Sequence, residues 1–557
     1  MNNTENEEKK IKEILSRLDQ LKTERQKFEG DWTEALEFAA PYVYNWTDLN
    51  SIPTRPKRYT SSPCNYLKIL TAGIVGYSVS PNITWFKLSL ENKKLLNLYG
   101  VKDWLENVEK IMYAYFAQSN MYREMNSFVM DAATIGHSVL LMENLVTENK
   151  IRYTKLVPNE IYIDVNSYDE VDTLYRTYLM TVKNVVEYFG EENLDKEILE
   201  DYKHVEKWNN RIEILQCVYP RKERNRKSKD SIDMPFAAIY IDLKNKKIIK
   251  ESGYEEFPYA VFQWEKIPNY AYSSSPTQEA LYDIKALNII KKTSLQIAQN
   301  SAQPAMRVSE DIRNVNITPG GFTYVASPDQ VLEPIRTGEN YPITLQVLED
   351  YKTEIKDWFY VDFFLTLQQK QGKMTATEVQ ELQGEKAATL TNLIVNLNSA
   401  LSKIIERTFN ILYKNNLLPQ VPRALLDHAS TMKIEFTGPL ANAQKKYHTM
   451  GGTMQALQMV GPILQMFPSS GDFIDADALM KNTLEGQGMP QSVIREDDDV
   501  NKIREERLKQ QMQQQQQALQ MQQQQNLLNN MDKLNTPIGQ NTYLNQLSQQ
   551  LKDSMNG

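Results

Sequence analysis

Only two cysteines, Cys64 and Cys217, occur in 557 residues, so neither a disulfide framework nor a multi-cysteine zinc site is open to this chain, and a reducing compartment suits it. Histidine is almost as scarce. His137, His204, His428 and His448 never fall at the i, i+4 spacing that sets two imidazoles on one helical face, which argues against a metal site. No run approaches the roughly 18 apolar residues of a membrane span. The nearest, Ile69 to Val79, is short and holds two glycines, so no membrane contact is expected. The opening MNNTENEEKK lacks the basic start and apolar run of a secretion signal, and export by that route is not expected. Basic charge is in deficit as well: 63 Lys and Arg against 71 Asp and Glu give a formal charge of −8. A broad basic face gripping nucleic acid is thereby disfavoured, and any DNA contact must be local or weak.

Catalytic signatures are also missing. There is no GxSxG elbow and no nucleophile with an evident base. GKMT at Gly372 to Thr375 imitates a nucleotide loop, but the phosphate cradle needs a glycine five residues before Gly372, where Leu367 stands. Asp497, Asp498 and Asp499 read as a solvated acidic turn before they read as a cation site. No catalytic residue, cofactor or enzyme activity is expected.

What is present is enough apolar surface, 41% of residues, to build several cores over this length. Residues 7–40 carry Ile11, Ile14, Leu18 and Leu21 at spacings of three and four, which predicts an amphipathic helix ending at Pro41. Further helices are expected near 64–77, 101–118 and 122–142. Runs such as EIYIDV and TLYRTYLM between 151 and 181 suit strands. A polar helix over 182–208 then leads to a second strand-rich block, 211–272, read as a small separate domain. Its basic run Arg221, Lys222, Arg224, Arg226, Lys227 and Lys229 reads either as a plain surface loop or as a partner-binding one. Ser275, Pro276 and Gln278 form an N-cap, a proline at the first helical position and a capping-box partner. A helix over 343–367 and the polar loop QQKQGKM follow. Thr375 and Glu378 repeat the capping-box pattern, opening a stripe from Val379 to Ile411 that predicts roughly 55–60 Å of helix. Met450, Met454 and Met459 read as adaptable packing. From Lys502 the tail holds twelve glutamines in the sixteen residues 510–525, which favours low-complexity disorder over a helical barrel built with symmetry mates. The fold class expected is α+β, mainly helical.

Several of these segments, in this order, resemble the head-to-tail connecting (portal) protein family of podoviruses: FEGDWTEALEFAAPY, WFKL at Trp85 to Leu88, SFVMDAATIGHSVLLMEN, VPNEIYIDVN with DTLYRTYLMTVKNVVEYFG, then MTATEVQELQGEK and FTGPLANAQK. The resemblance runs to about residue 450. One departure is NYAYSSSP before the Ser275 cap, where relatives place an arginine.

The resemblance implies a portal fold assembled as a homo-dodecameric ring, with an α/β wing, a helical stem, a β-rich clip and a helical crown around an axial channel. It maps the wing to 1–180 and 304–365, stem helices to 181–210 and 273–303, and the clip to 211–272. A tunnel loop falls at 366–374, wing and crown helices at 375–500, and the glutamine-rich tail at 501–557. Gln368, Gln369, Lys370, Gln371 and Lys373 would face viral double-stranded DNA without sequence preference, and the basic run at 221–229 would meet partners at the clip. The clip partners would be the terminase and a tail adaptor protein, and the ring as a whole would also meet capsid and scaffold or internal core proteins. The place implied is the virion's head-tail vertex, reached through assembly in the host cytoplasm. Twelve copies would carry 12 × −8 = −96 formal charges, a ring to which DNA phosphates do not adhere. The competing readings are a non-portal scaffold or coiled-coil adaptor, suggested by the long helix and glutamine tail, and a DNA-packaging enzyme.

Overall fold

A computed structural model describes residues 3–41, 46, 58–92, 95–96, 98, 100–145, 150–228, 230–302, 306–308, 332–334, 341–368, 390–426, 432–441, 475, 477–480, 497–534, 546–550 and 553. Contacts divide the chain into two units, Met1–Met459 and Val460–Gly557.

The first unit opens with α1 (Asn3–Ala39), whose stripe serves two cores. Ile11, Ile14, Leu18 and Leu21 cover one face of a sheet, while Trp32, Leu36 and Ala39 enter the main core. That core also takes α2 (Ser62–Ser78), β1 (Phe86–Leu90), α3 (Val101–Gln118) and α4 (Met121–Ile135). The helix expected over 122–142 is instead α4 followed by β2 (His137–Leu145). Gly136, at φ 91°, turns the chain between them, and the run HSVLLM is buried on both faces as a central strand.

β2 lies between β3 (Lys150–Lys155) and, from over a hundred residues later, β9 (Tyr259–Gln263). Between those two flanking strands runs an antiparallel five-stranded sheet: β4 (Ile161–Val165), β5 (Val171–Thr181), β6 (Arg211–Pro220), β7 (Phe236–Asp242) and β8 (Lys247–Tyr254). Alternation sorts its side chains. Ile161 and Ile163 face the main core, and Tyr162 faces α1. The block 211–272 is therefore no separate domain: β6 pairs with β5 from Leu174↔Val218 to Thr181↔Arg211, and β9 belongs to the other sheet. Nor is 182–208 one helix. It forms α5 (Val182–Phe189) and α6 (Lys196–Lys203), parted at Gly190 (φ 77°) and packed on the sheet through Val185, Val186 and Ile198.

A small hairpin, β10 (Glu265–Lys266) with β11 (Ser273–Ser274), leads into α7 (Pro276–Glu279) and α8 (Leu281–Ala302). After α8, β12 (Met306–Val308) pairs antiparallel with β13 (Leu332–Pro334), and α9 (Tyr341–Trp358) packs back against α8. The helix expected over 343–367 breaks at Tyr360, φ 51°, and resumes as α10 (Val361–Gln368). α11 (Thr391–Lys414) supplies Leu393, Leu397, Leu401 and Ile404 to the main core, and β14 (Met432–Phe436) pairs with β1. Of the stripe expected from Thr375, the part before Leu390 lies outside the described residues, as do Met450, Met454 and Met459.

In the second unit, α12 (Asp497–Leu534) carries the glutamine tract as helix where disorder was the favoured expectation. Asp497 to Asp499 open that helix instead of forming a turn, in the position where carboxylates complement exposed N–H groups. Arg504 pairs with Asp477 at 2.6 Å, while Leu508, Met512 and Leu519 are exposed.

Candidate functional site

The basic run joins β6 to β7. Arg221 is structural: its amide donates to the Pro235 carbonyl at 2.8 Å, and its half-buried guanidinium bonds to Glu251 at 3.0 Å and to the Ser252 carbonyl at 3.2 Å. Glu251 also takes Lys10 of α1 at 2.7 Å, so this end of the loop is pinned to the helix. Beyond it the loop is held by its own polar groups. Asp233 accepts from the Asn225 amide at 3.1 Å, and the Asn225 and Ser228 side chains accept from the amides of Lys227 and Asp230. Lys222, Arg224, Arg226 and Lys227 are all exposed, with no acidic partner among the described residues. Four cations are thus displayed on an ordered hairpin tip. Lys229 lies outside the described residues.

Gln368 ends α10, while Gln369, Lys370, Gln371, Lys373, Thr375 and Glu378 lie outside the described residues.

The Ser275 cap is present. Its hydroxyl accepts from the Gln278 amide at 3.1 Å and donates to the Thr134 carbonyl of α4 at 2.8 Å. The reciprocal half of the capping box is not: the Gln278 side-chain oxygen is buried with no partner. The cap segment instead fastens to α4, with Thr277 donating to the Ala133 carbonyl and Ser273 to the Gly136 carbonyl, each at 2.8 Å. These bonds set the root of α7 and α8 against the α4–β2 corner.

Three separate polar contacts that composition does not announce tie the elements together. Arg25 of α1 donates to the Asn159 and Ile161 carbonyls at 2.9 and 2.8 Å and lies over the Tyr162 ring. Lys155 of β3 meets Asp131 of α4 at 2.7 Å, both buried; desolvation raises the Asp131 carboxyl and lowers the Lys155 amine to about 7. Arg407 of α11 bonds to Glu256 at 3.0 Å and to the Met142 carbonyl at 3.1 Å. A signal for these existed in the sequence: Arg25, Asp131 and Arg407 each interrupt an otherwise apolar helical stripe, where a charge must be paired to be tolerated.

No group of three or more His, Cys, Asp or Glu residues suited to a metal occurs among the described residues. Among them, too, no helix is long and apolar enough to cross a membrane. Cys217 is buried in the sheet, which pushes its thiol up, away from reactivity.

Comparison with known proteins agrees with this architecture. The portal protein of Salmonella phage epsilon15 is 28% identical over 513 residues, covering 89% of this chain and 91% of that protein. The probable portal protein of Bordetella phage BPP-1 is 28% identical over 523 residues, covering 90% and 92%. A model of the bacteriophage head to tail connecting proteins matches residues 11–494, and the chain belongs to that family.

Proposed function

We propose that this chain acts without catalysis, as one subunit of a closed ring at the head-tail vertex, through which double-stranded DNA enters the capsid during packaging and leaves on ejection. The observation that carries the reading is the family match over residues 11–494, which takes in both sheets and the α8–α9 pair together. The formal charge of −8 per chain supports a conduit, because each phosphate contact releases counterions and tightens binding, and a basic lining throughout would stall movement. Lys370 and Lys373, with Gln368, Gln369 and Gln371, are the residues for a few weak, centring DNA contacts.

The exposed cations Lys222, Arg224, Arg226 and Lys227 suit docking of the terminase during packaging and of a tail adaptor afterwards. Capsid, scaffold or internal core proteins would meet other faces, and assembly would take place in the host cytoplasm. Within the ring, α8 and α9 are better suited to a stem than 181–210, whose helices are eight residues each and lie on the sheet.

Negative-stain imaging of the purified chain tests the reading. Rings with a central hole and twelvefold averages are expected, and compact asymmetric particles would overturn it. Truncation after Asn501 should leave the ring intact, whereas a coiled-coil adaptor would lose its oligomeric state. Replacing Lys370 and Lys373 by alanine should lower packaging while rings still form.

A further inference from the structure

The outward faces of α8 and α9 are unlike each other in a way that suits a second copy of the chain. Along α8, Leu281, Ile284, Leu287 and Ser294 are buried. The opposite stripe holds Tyr282, Ile289 and Lys292, at i, i+7 and i+10, with Tyr282 81% and Ile289 63% exposed. Lys285 on the same side is matched by Glu34 of α1, and Lys292 lies over the Tyr59 ring with no acidic partner among the described residues. Within α8 there are three lysines against one aspartate, a balance of +2.

Leu348 and Ile355 of α9, and Phe359 just after it, point inward. The opposite stripe carries Val347, Asp350, Glu354 and Asp357 at i, i+3, i+7 and i+10, flanked by Trp358, which is 41% exposed. None of these three carboxylates has a basic partner among the described residues. Four acids against two lysines give α9 a balance of −2. Acidic groups near the end of a helix are unfavourable for its dipole, so the placement of Asp357 does not serve α9 itself.

Resting on the ring reading, we propose that the Tyr282–Ile289–Lys292 stripe on α8 of one copy docks on the Val347–Asp350–Glu354–Trp358 stripe on α9 of the next. Apolar groups meet at the centre and charges of opposite sign at the edge, the usual anatomy of a specific interface. The contact is heterologous. Each copy offers a basic helix on one side and an acidic helix on the other, so contacts propagate in one direction and close into a ring when the rotation permits. Two copies turned basic side to basic side would juxtapose like charges and are disfavoured.

Two variants test this by native mass spectrometry beside the wild type. Ile289→Asp breaks the α8 face and Trp358→Asp breaks the α9 face; both residues are on the surface, and unchanged circular dichroism and melting would confirm folding. Each variant alone is expected to stay monomeric, with association weakened roughly thirtyfold or more, as for a central interface anchor. Mixed at equal concentration, they should form a heterodimer and nothing larger, because one intact α8 face meets one intact α9 face and the remaining faces are both broken. A charge reversal adds an arm that misfolding cannot mimic: Lys292→Glu should weaken ring formation, and Glu354→Lys in the same chain should restore it. If the wild type forms rings and both aspartate variants do too, the docking proposal is overturned and the ring reading stands. Self-association of one variant without the other would also overturn it, in favour of a like-to-like contact. A wild type that forms no ring under any assembly condition would overturn both.

Discussion

The carbonyl oxygen of Ser273 stands 1.8 Å from where a Cβ on Gly136 would be placed. Gly136 also has φ 91°, and its own carbonyl accepts from the Trp264 amide at 2.7 Å and the Ser273 hydroxyl at 2.8 Å. The corner between α4 and β2 is thus packed directly against the segment leading to the α7–α8 root.

Gly136→Ala should therefore cost about 3 kcal/mol or more, since both the left-handed backbone and the contact with a rigid carbonyl oppose a side chain. Chemical denaturation would measure it. An unchanged midpoint would show that the corner relaxes at little cost.

His137, the next residue, is packed between the Trp32 and Tyr272 rings at 4.9 and 5.1 Å. Burial lowers its pKa from 6.5 to about 3. The unfolded chain therefore takes up a proton between those two values that the folded chain refuses. Its contribution is intact above about pH 6.5 and declines as pH falls, by about 1.4 kcal/mol per pH unit. His137→Phe should remove that part of the acid-side loss, so that the difference in stability between the two proteins grows between pH 6.5 and pH 4.

Glu109 of α3 runs the other way. Its carboxylate accepts from the Leu88 amide at 2.6 Å, yet burial raises its pKa from 4.5 to about 7. The folded chain retains a proton that the unfolded chain has released, so stability falls as pH rises through this window and stays lowered above it. Glu109→Gln keeps an acceptor without the charge. It should match the wild type near pH 4.5 and exceed it by about 1–3 kcal/mol at pH 8, read from melting curves across pH.

Lys155→Met should cost about 3–5 kcal/mol by leaving the Asp131 carboxyl buried beside an apolar chain. Adding Asp131→Leu should recover most of the loss, because two apolar groups of similar volume replace the pair. A double mutant no better than the single would mean that the pair's hydrogen bonds to its surroundings, not the uncompensated charge, set the cost.

Local features were legible in the sequence, and distant ones were not. The Ser275 cap could be read because a hydroxyl and the amide three residues on are fixed by one turn of chain. The failure of Gln278 to return its bond could not, since it depends on the tertiary packing that buries that side-chain oxygen. The segment His137–Met142 reads as a continuation of helix because a strand buried on both faces shows no alternation. The 182–208 helix was overdrawn across Gly190, and the pairing of β6 with β5 that dissolves the separate domain is a matter of register between distant segments. At the candidate docking loop, the sequence marked all the cations alike, and only the fold separates Arg221, committed to Glu251, from the four that remain exposed.

The course of β3, the five-stranded sheet and β9 has an evolutionary consequence. The chain leaves on one side of β2 and returns on the other, so everything between is a cassette whose ends are fixed whatever happens at its tip. The length or charge of the hairpin that starts at Arg221 can therefore be exchanged without altering the corner at Gly136. The N-terminal half of α1, latched to the sheet through Lys10 and Glu251, marks the boundary such exchanges must respect.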